Sequence, residues 1–406
     1  MQFVHILISC ATAAIILKSR LSLVEKILVI FGYYFFFEYN LISRNYGLSA
    51  MLMILLVYYN NRESATLVRL SVIMFFLAQA HLFALVFSVA FVITYLVFNR
   101  NSIILKDKAK IITAGSIILA GWLISAFFII PPWNYGMKFI SYDATVYLST
   151  DRIIKTISVA LKGIFYIPDY NAPGHQFINT LYYLTLNLKT WLIYLLSFAA
   201  IAIPALVLKR NKFAIVLFLF FTVLFMAIYF FLPLVYGIRY FGFFYIVFLC
   251  CWMIARPQAG FSAKIITIVI FALQFVNGVY AYTMDIRYPF SEGKAVSNYI
   301  EKERKSYEKV YILNPSLRPA ISAYTGEKFF GTENGDKLSY CHWDERLPDS
   351  VLKLKLNSLL NEDSSSLIIS NNPVYELLDT NRLERLESFS NGIFKGENAV
   401  VYRYRK

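Results

Sequence analysis

The chain has 406 residues, 58% of them apolar and 17% aromatic, with a formal net charge of +14. The first 283 residues carry seven acidic against 21 basic side chains, and the remaining 123 carry 18 of each, so the whole excess belongs to the hydrophobic part. This excludes a soluble globular protein over that part, and it argues against a nucleic-acid partner because the cations cluster at the ends of apolar runs.

Apolar runs recur at roughly 3–17, 25–40, 47–60, 65–79, 82–98, 110–130, 190–208, 213–233, 235–255 and 264–283. The expected fold class is therefore an α-helical polytopic membrane bundle of about ten transmembrane helices, residues 1–283, with a small C-terminal α/β extracytoplasmic domain, residues 284–406. Alternate loops collect the cations: Lys18, Arg20 and Lys26; Arg62 and Arg69; Arg100, Lys106, Lys108 and Lys110; Lys209, Arg210 and Lys212; Arg256 and Lys264. Short loops rich in Lys and Arg resist translocation, so these mark the cytoplasmic side. Residues 131–189 and 284–406 then face the other side, and the chain begins there too. A first span entering from outside looks like a later helix of a longer bundle, so an upstream helix and loop are expected in the full gene product.

Near the second run, Phe37-Glu38-Tyr39-Asn40-Leu41-Ile42-Ser43-Arg44-Asn45-Tyr46 places a carboxylate and a guanidinium at a turn between apolar runs. Charges at a membrane edge are costly and ask for a reason. His81 lies at the next turn on the same side, and Arg239, followed by Tyr240, near the start of the ninth run. Depth alone would let Glu38, Arg44, His81 and Arg239 converge. Arginine matches a phosphate in shape and charge, so Arg44 and Arg239 suggest recognition of an anionic lipid headgroup. A plainer role is open for each: Glu38 with Arg44 as a register-fixing ion pair, and His81 as a packing residue.

The long outer loop 131–189 contains Ser149-Thr150-Asp151, which reads as a helix cap. The apolar positions Ile153, Ile154, Ile157, Leu161, Ile164 and Phe165 follow at helical spacing, with Arg152, Lys155 and Lys162 opposite. The pattern predicts an interfacial helix lying in the headgroup plane. Asp143, Asp151 and Asp169 read chiefly as solvated loop or cap residues. Beyond residue 287 the charge is dense and balanced. Helices are expected at 291–305 and 318–324, and strands at 309–313, 328–331, 367–370, 375–379 and 400–404. The four cysteines and four histidines show no metal-ligand spacing, so no metal is expected.

Tyr33-Tyr34-Phe35-Phe36-Phe37-Glu38-Tyr39 with Ser43-Arg44-Asn45-Tyr46-Gly47-Leu48 resembles the helix–turn–helix around an Arg-x-Tyr motif in bacterial membrane glycosyltransferases of the GT-C superfamily, related to protein O-mannosyltransferases. The resemblance continues through Ala80-His81-Leu82-Phe83, Ile167-Pro168-Asp169 and Gly237-Ile238-Arg239-Tyr240-Phe241-Gly242, spanning roughly residues 1–255. Where the family would prefer His after Arg, this chain has Tyr240. The resemblance implies inverting transfer of a sugar from a polyprenyl-phosphate donor to an envelope acceptor (glycan, lipid or protein) on the outer face of the bacterial cytoplasmic membrane. Arg44 and Arg239 would face the donor phosphate, with Glu38, Tyr46, His81 and Tyr240 in support. The lipid-linked sugar is a substrate, and no cofactor is implied. The family's decisive acid lies in a first outer loop that precedes the segment matching residue 1, which leaves the catalytic base unknown and Asp143 and Asp169 as candidates. A non-catalytic scaffold in envelope glycan assembly is the alternative from another class; an O-antigen ligase or polymerase, or a transporter, fits less well.

Overall fold

The computed structural model describes residues 2–40, 45–62, 66–104, 107–129, 150–167, 190–231, 238–303, 306–307, 309–313, 316–330, 337–339, 365–370, 382–392 and 398–405. The chain divides into two compact units, residues 1–169 with 177–282, and residues 170–176 with 283–406.

The first unit is helical: α1 (Gln2–Lys18), α2 (Leu23–Ile30), a π-helical turn (Tyr34–Glu38), α3 (Asn45–Asn60), α4 (Leu67–Ala80), α5 (Leu82–Ile104), α6 (Lys108–Ile129), α7 (Thr150–Ile157), α8 (Val159–Ile164), α9 (Thr190–Leu208), α10 (Lys212–Phe231), α11 (Ile238–Ala255) and α12 (Phe261–Arg287). Six helices are long and apolar enough to cross a membrane: Leu82–Arg100, Lys108–Ile129, Trp191–Leu208, Lys212–Phe231, Arg239–Gln258 and Phe261–Arg287. The architecture is that of a helical membrane protein with a small sheet, but with six such helices among the described residues rather than the expected ten.

The shortfall lies in the four N-terminal runs. Helices α1, α3 and α4 have 17, 16 and 14 residues, which at 1.5 Å per residue fall short of a hydrocarbon core of about 30 Å. The run expected at 25–40 is broken in two, because α2 ends at Ile30 and the chain re-enters a π turn after Gly32.

The predicted interfacial helix is also different in the structure. It splits into α7 and α8, and α8 is buried along its whole length, with Val159, Ala160 and Ile164 fully shielded. It packs against α9 and α11 inside the bundle. Gly163 makes this possible, since a Cβ there would overlap the Phe241 carbonyl oxygen. Lys162 stays buried with its ammonium 5.2 Å from the centre of the Phe241 ring. Two wholly buried amides of α12 fasten the chain that follows: Gln274 Nε2 donates to the Ile164 carbonyl at 3.0 Å, and Asn277 Nδ2 donates to that of Tyr166. Helix α6, by contrast, buries just Ala114, Gly121 and Ser125 and presents Leu123, Phe127 and Phe128 outward, as a lipid-facing helix should.

The second unit carries α13 (Gly293–Glu303), α14 (Arg318–Thr325) and six strands: β1 (Lys309–Ile312), β2 (Phe329–Phe330), β3 (Lys337–Leu338), β4 (Ser365–Ser370), β5 (Leu383–Phe389) and β6 (Ala399–Arg405). The sheet order is β3-β2-β1-β4-β6-β5, with β1 parallel to β2 and β4 and the other pairs antiparallel. Alternation along β1, β4 and β6 sends Ile312, Leu367, Ile369 and Val401 to one core with Val296, Ile300 and Ile321 of the two helices. Tyr311, Ile368, Tyr402 and Tyr404 form a second cluster. Gly326, at φ 71°, ends α14 in the left-handed conformation that a side chain would resist. Strands β3 and β5 are not among those expected from the sequence, and the strand expected at 375–379 lies outside the described residues.

Candidate functional site

Helix α11 begins and ends at a buried carboxylate. At its N-terminal end Arg239 Nε lies 3.8 Å from Oε1 of Glu38, whose side chain is 1% exposed against 23% for Arg239. Glu38 reaches that position from the π turn, where Tyr39 N–H bonds to the Tyr34 carbonyl five residues back at 2.8 Å. The wider turn brings Tyr33, Tyr34, Phe37 and Glu38 all inside the protein. Tyr33 Oη donates to Glu38 Oε2 at 3.0 Å, and Tyr39 Oη donates to the Arg239 carbonyl at 2.7 Å. The carboxylate therefore has a phenol on one oxygen and a guanidinium near the other, and the same turn grips the backbone of the arginine it faces.

Beside this pair stands an aromatic cluster. The Tyr46 ring stacks on Tyr39 at 5.8 Å, lies 5.0 Å from His81 and meets Tyr240 edge-on at 5.8 Å. His81 stacks in turn on Tyr240 at 5.9 Å and on Phe243 at 5.1 Å. Asn45 Nδ2 donates to the Ala80 carbonyl at 2.7 Å and holds the start of α3 against the end of α4. His81 occupies the turn between α4 and α5, and burial lowers its pKa to about 4, so the ring is neutral at pH 7. Its Nδ1 accepts the Phe83 N–H at 3.2 Å, which leaves the ring proton on Nε2 as a donor.

Of the residues singled out from the sequence, Glu38, Tyr46, His81, Arg239 and Tyr240 come together here. Arg44, Asp143 and Asp169 lie outside the described residues, and with them the expected pairing of Glu38 with Arg44; among the described residues Glu38 faces Arg239. Tyr33 and Tyr39 were missed as site residues because an aromatic in an apolar run carries no mark of its hydrogen bond. Chemically, the arrangement offers one half-buried guanidinium suited to a phosphate, neutral Nε2–H and phenol donors, and aromatic faces for the C–H faces of a sugar.

The second carboxylate, Glu25, sits at the other end of α11. It accepts Trp252 Nε1 at 2.9 Å and Arg256 Nε at 2.6 Å, and closes a capping box with Ser22, whose N–H and hydroxyl reach it at 2.6 and 2.7 Å. Burial pushes the Glu25 pKa up, but the Ser22, Arg256 and Trp252 hydrogen bonds outweigh it and hold the group below its ordinary range. The sequence signal was Ser22-Leu23-Val24-Glu25 before an apolar run. No group of three or more His, Cys, Asp or Glu side chains is arranged to hold a metal among the described residues.

Comparison with protein-family models gave no match, and neither did comparison with curated proteins or with solved structures.

Proposed function

We propose that the chain acts in the bacterial cytoplasmic membrane on a polyprenyl-phosphate sugar, as a membrane glycosyltransferase of the GT-C type or a piece of one. In this reading the sugar passes to an envelope acceptor on the outer face, where residues 284–406 also lie. The observation that supports it is the meeting of Arg239 with buried Glu38 beside His81, Tyr46 and Tyr240. Arg239 and Arg44 would bind the donor phosphate and take up the charge that develops as the bond between the anomeric carbon and the phosphate oxygen breaks. The aromatic cluster would seat the sugar, and Glu38 would hold Arg239 in place. Inversion requires a base for the acceptor hydroxyl, and no described residue is assigned to it.

The test is binding of a radiolabelled polyprenyl-phosphate sugar to purified protein in nanodiscs. Saturable binding that Arg239→Ala abolishes supports the reading, and unchanged binding in Arg239→Ala and Arg44→Ala overturns it. A non-catalytic scaffold is the second reading, favoured by one observation: Arg239 is already engaged by a carboxylate. It predicts loss of stability with no donor bound by any form of the protein.

A further inference from the structure

We propose that a cavity of about 470 Å³ at the α1–α2 and α3 ends of the bundle binds a phosphate-bearing polar group, separately from the Glu38–Arg239 site. Lys18, Arg20 and Arg62 line it, together with the neutral hydrogen-bonding groups of Ser19, Tyr58 and Asn61. No carboxylate lines it among the described residues. Of the two acids nearest the lining residues in sequence, Glu25 is turned to Trp252 and Arg256, and Glu63 lies outside the described residues.

The walls are fixed from several sides. Arg20 Nη2 donates to the Asn61 carbonyl at 3.1 Å, and Asn61 Nδ2 donates to the Met253 carbonyl at 3.2 Å. The Arg62 guanidinium lies over the Tyr58 ring at 4.4 Å, and Ser19 Oγ bonds to the Ile16 carbonyl at 2.6 Å. Three cations around one concavity repel each other, and a bound anion with two or three acceptor oxygens relieves that. The volume exceeds what a bare phosphate needs and suits a phosphodiester headgroup or a small phosphate ester. Met253 lies fourteen residues along α11 from Arg239, about 21 Å at 1.5 Å per residue, so the two sites occupy opposite ends of that helix. Cations gathered only to set topology need no cavity between them, and the adjoining polar groups turn this cluster into one with a shape.

The chemistry has two sources, an anionic lipid headgroup and a free phosphate, and the experiment separates them. The full chain is placed in phosphatidylcholine nanodiscs with graded phosphatidylglycerol, and bound phosphatidylglycerol is counted by native mass spectrometry with and without inorganic phosphate. Lys18→Gln should weaken binding about fivefold and R20Q/R62Q about 25-fold, at about fivefold per cation lost near a membrane surface. Lys18→Gln, which leaves the Arg20–Asn61 bond in place, guards against misfolding in the double variant, and thermal unfolding checks both. Competition by inorganic phosphate assigns the site to phosphate in general, and binding untouched by it assigns the site to the lipid. Absence of binding, binding unchanged in both variants, or equal weakening by the control K108Q/K110Q overturns the proposal.

Discussion

Arg256 Nε lies 2.6 Å from Oε2 of Glu25, joining residues 231 positions apart around a carboxylate that is 1% exposed. Arg256 directly follows α11, and that helix meets Glu38 through Arg239 at its other end. One short segment, residues 25–38, thus supplies a counter-charge to each end of α11. Both carboxylates are withdrawn from water and held by hydrogen bonds, the condition under which a buried charge is tolerated.

Removing one partner should expose that cost. Arg256→Ala leaves Glu25 buried with its Trp252 and Ser22 bonds but no cation, and should destabilise the bundle by about 3 kcal/mol. Glu25→Gln combined with Arg256→Ala should recover part of the loss. Denaturant unfolding of the four proteins in detergent, read as a double-mutant cycle, measures this; additive losses would mean that the pair is not coupled.

Acid should act through two groups. The folded pKa of His81 is about 4 against an ordinary 6.5, so the unfolded state binds its proton first. Stability is full above 6.5 and falls as pH drops from 6.5 to 4, by on the order of 3 kcal/mol. Glu25 is also held below its ordinary 4.5, so its contribution is present above 4.5 and is lost as pH falls through its folded value. His81→Gln should flatten the upper window and spare the lower one in unfolding curves taken at stepped pH.

The glycines divide by what surrounds them. A Cβ at Gly163 would overlap the Phe241 carbonyl, and one at Gly278 the carbonyl of Phe31, whereas Gly115 has nothing within 4 Å. Gly163→Ala and Gly278→Ala should each cost about 1–3 kcal/mol from overpacking. Gly115→Ala should be neutral or stabilise by up to about 1 kcal/mol, since a helix-interior glycine gives up more entropy. Thermal melts of the three variants check the order.

At the proposed donor site, Arg239→Lys keeps the charge but loses the planar fork, and should retain the fold while weakening donor binding about tenfold or more. Arg44→Lys should behave alike if both arginines face the phosphate. Binding equal to that of the parent in both lysine variants would remove the phosphate assignment.

In the sheet unit, Ile369→Ala should cost about 2–5 kcal/mol because the side chain is fully buried between β1 and β6. Glu384→Ala, which removes a partly exposed partner 3.4 Å from Arg403, should stay within about 1 kcal/mol. Hydrogen exchange of the β4 and β6 amides reports both.

The sequence by itself determined the membrane class, the positions of the six long helices among its ten expected spans, and most of the alternation in the second unit. Each of these follows from local hydropathy, period and length, which need no partner to be read. It also marked Glu38, His81, Arg239 and Tyr240, because polar groups stand out in an apolar run. Tertiary structure alone decided their pairing. Glu38 meets Arg239 because a π turn re-aims the segment and α11 packs against it, and neither event leaves a periodic trace. Likewise the amphipathic pattern of 153–165 fits a lipid surface and a protein groove equally well, and only Gly163 against Phe241, with Gln274 and Asn277 capturing the carbonyls, placed α8 inside the bundle. The four short N-terminal runs show the same limit, since hydropathy counts apolar residues but cannot see where a helix breaks to serve a contact two hundred residues away.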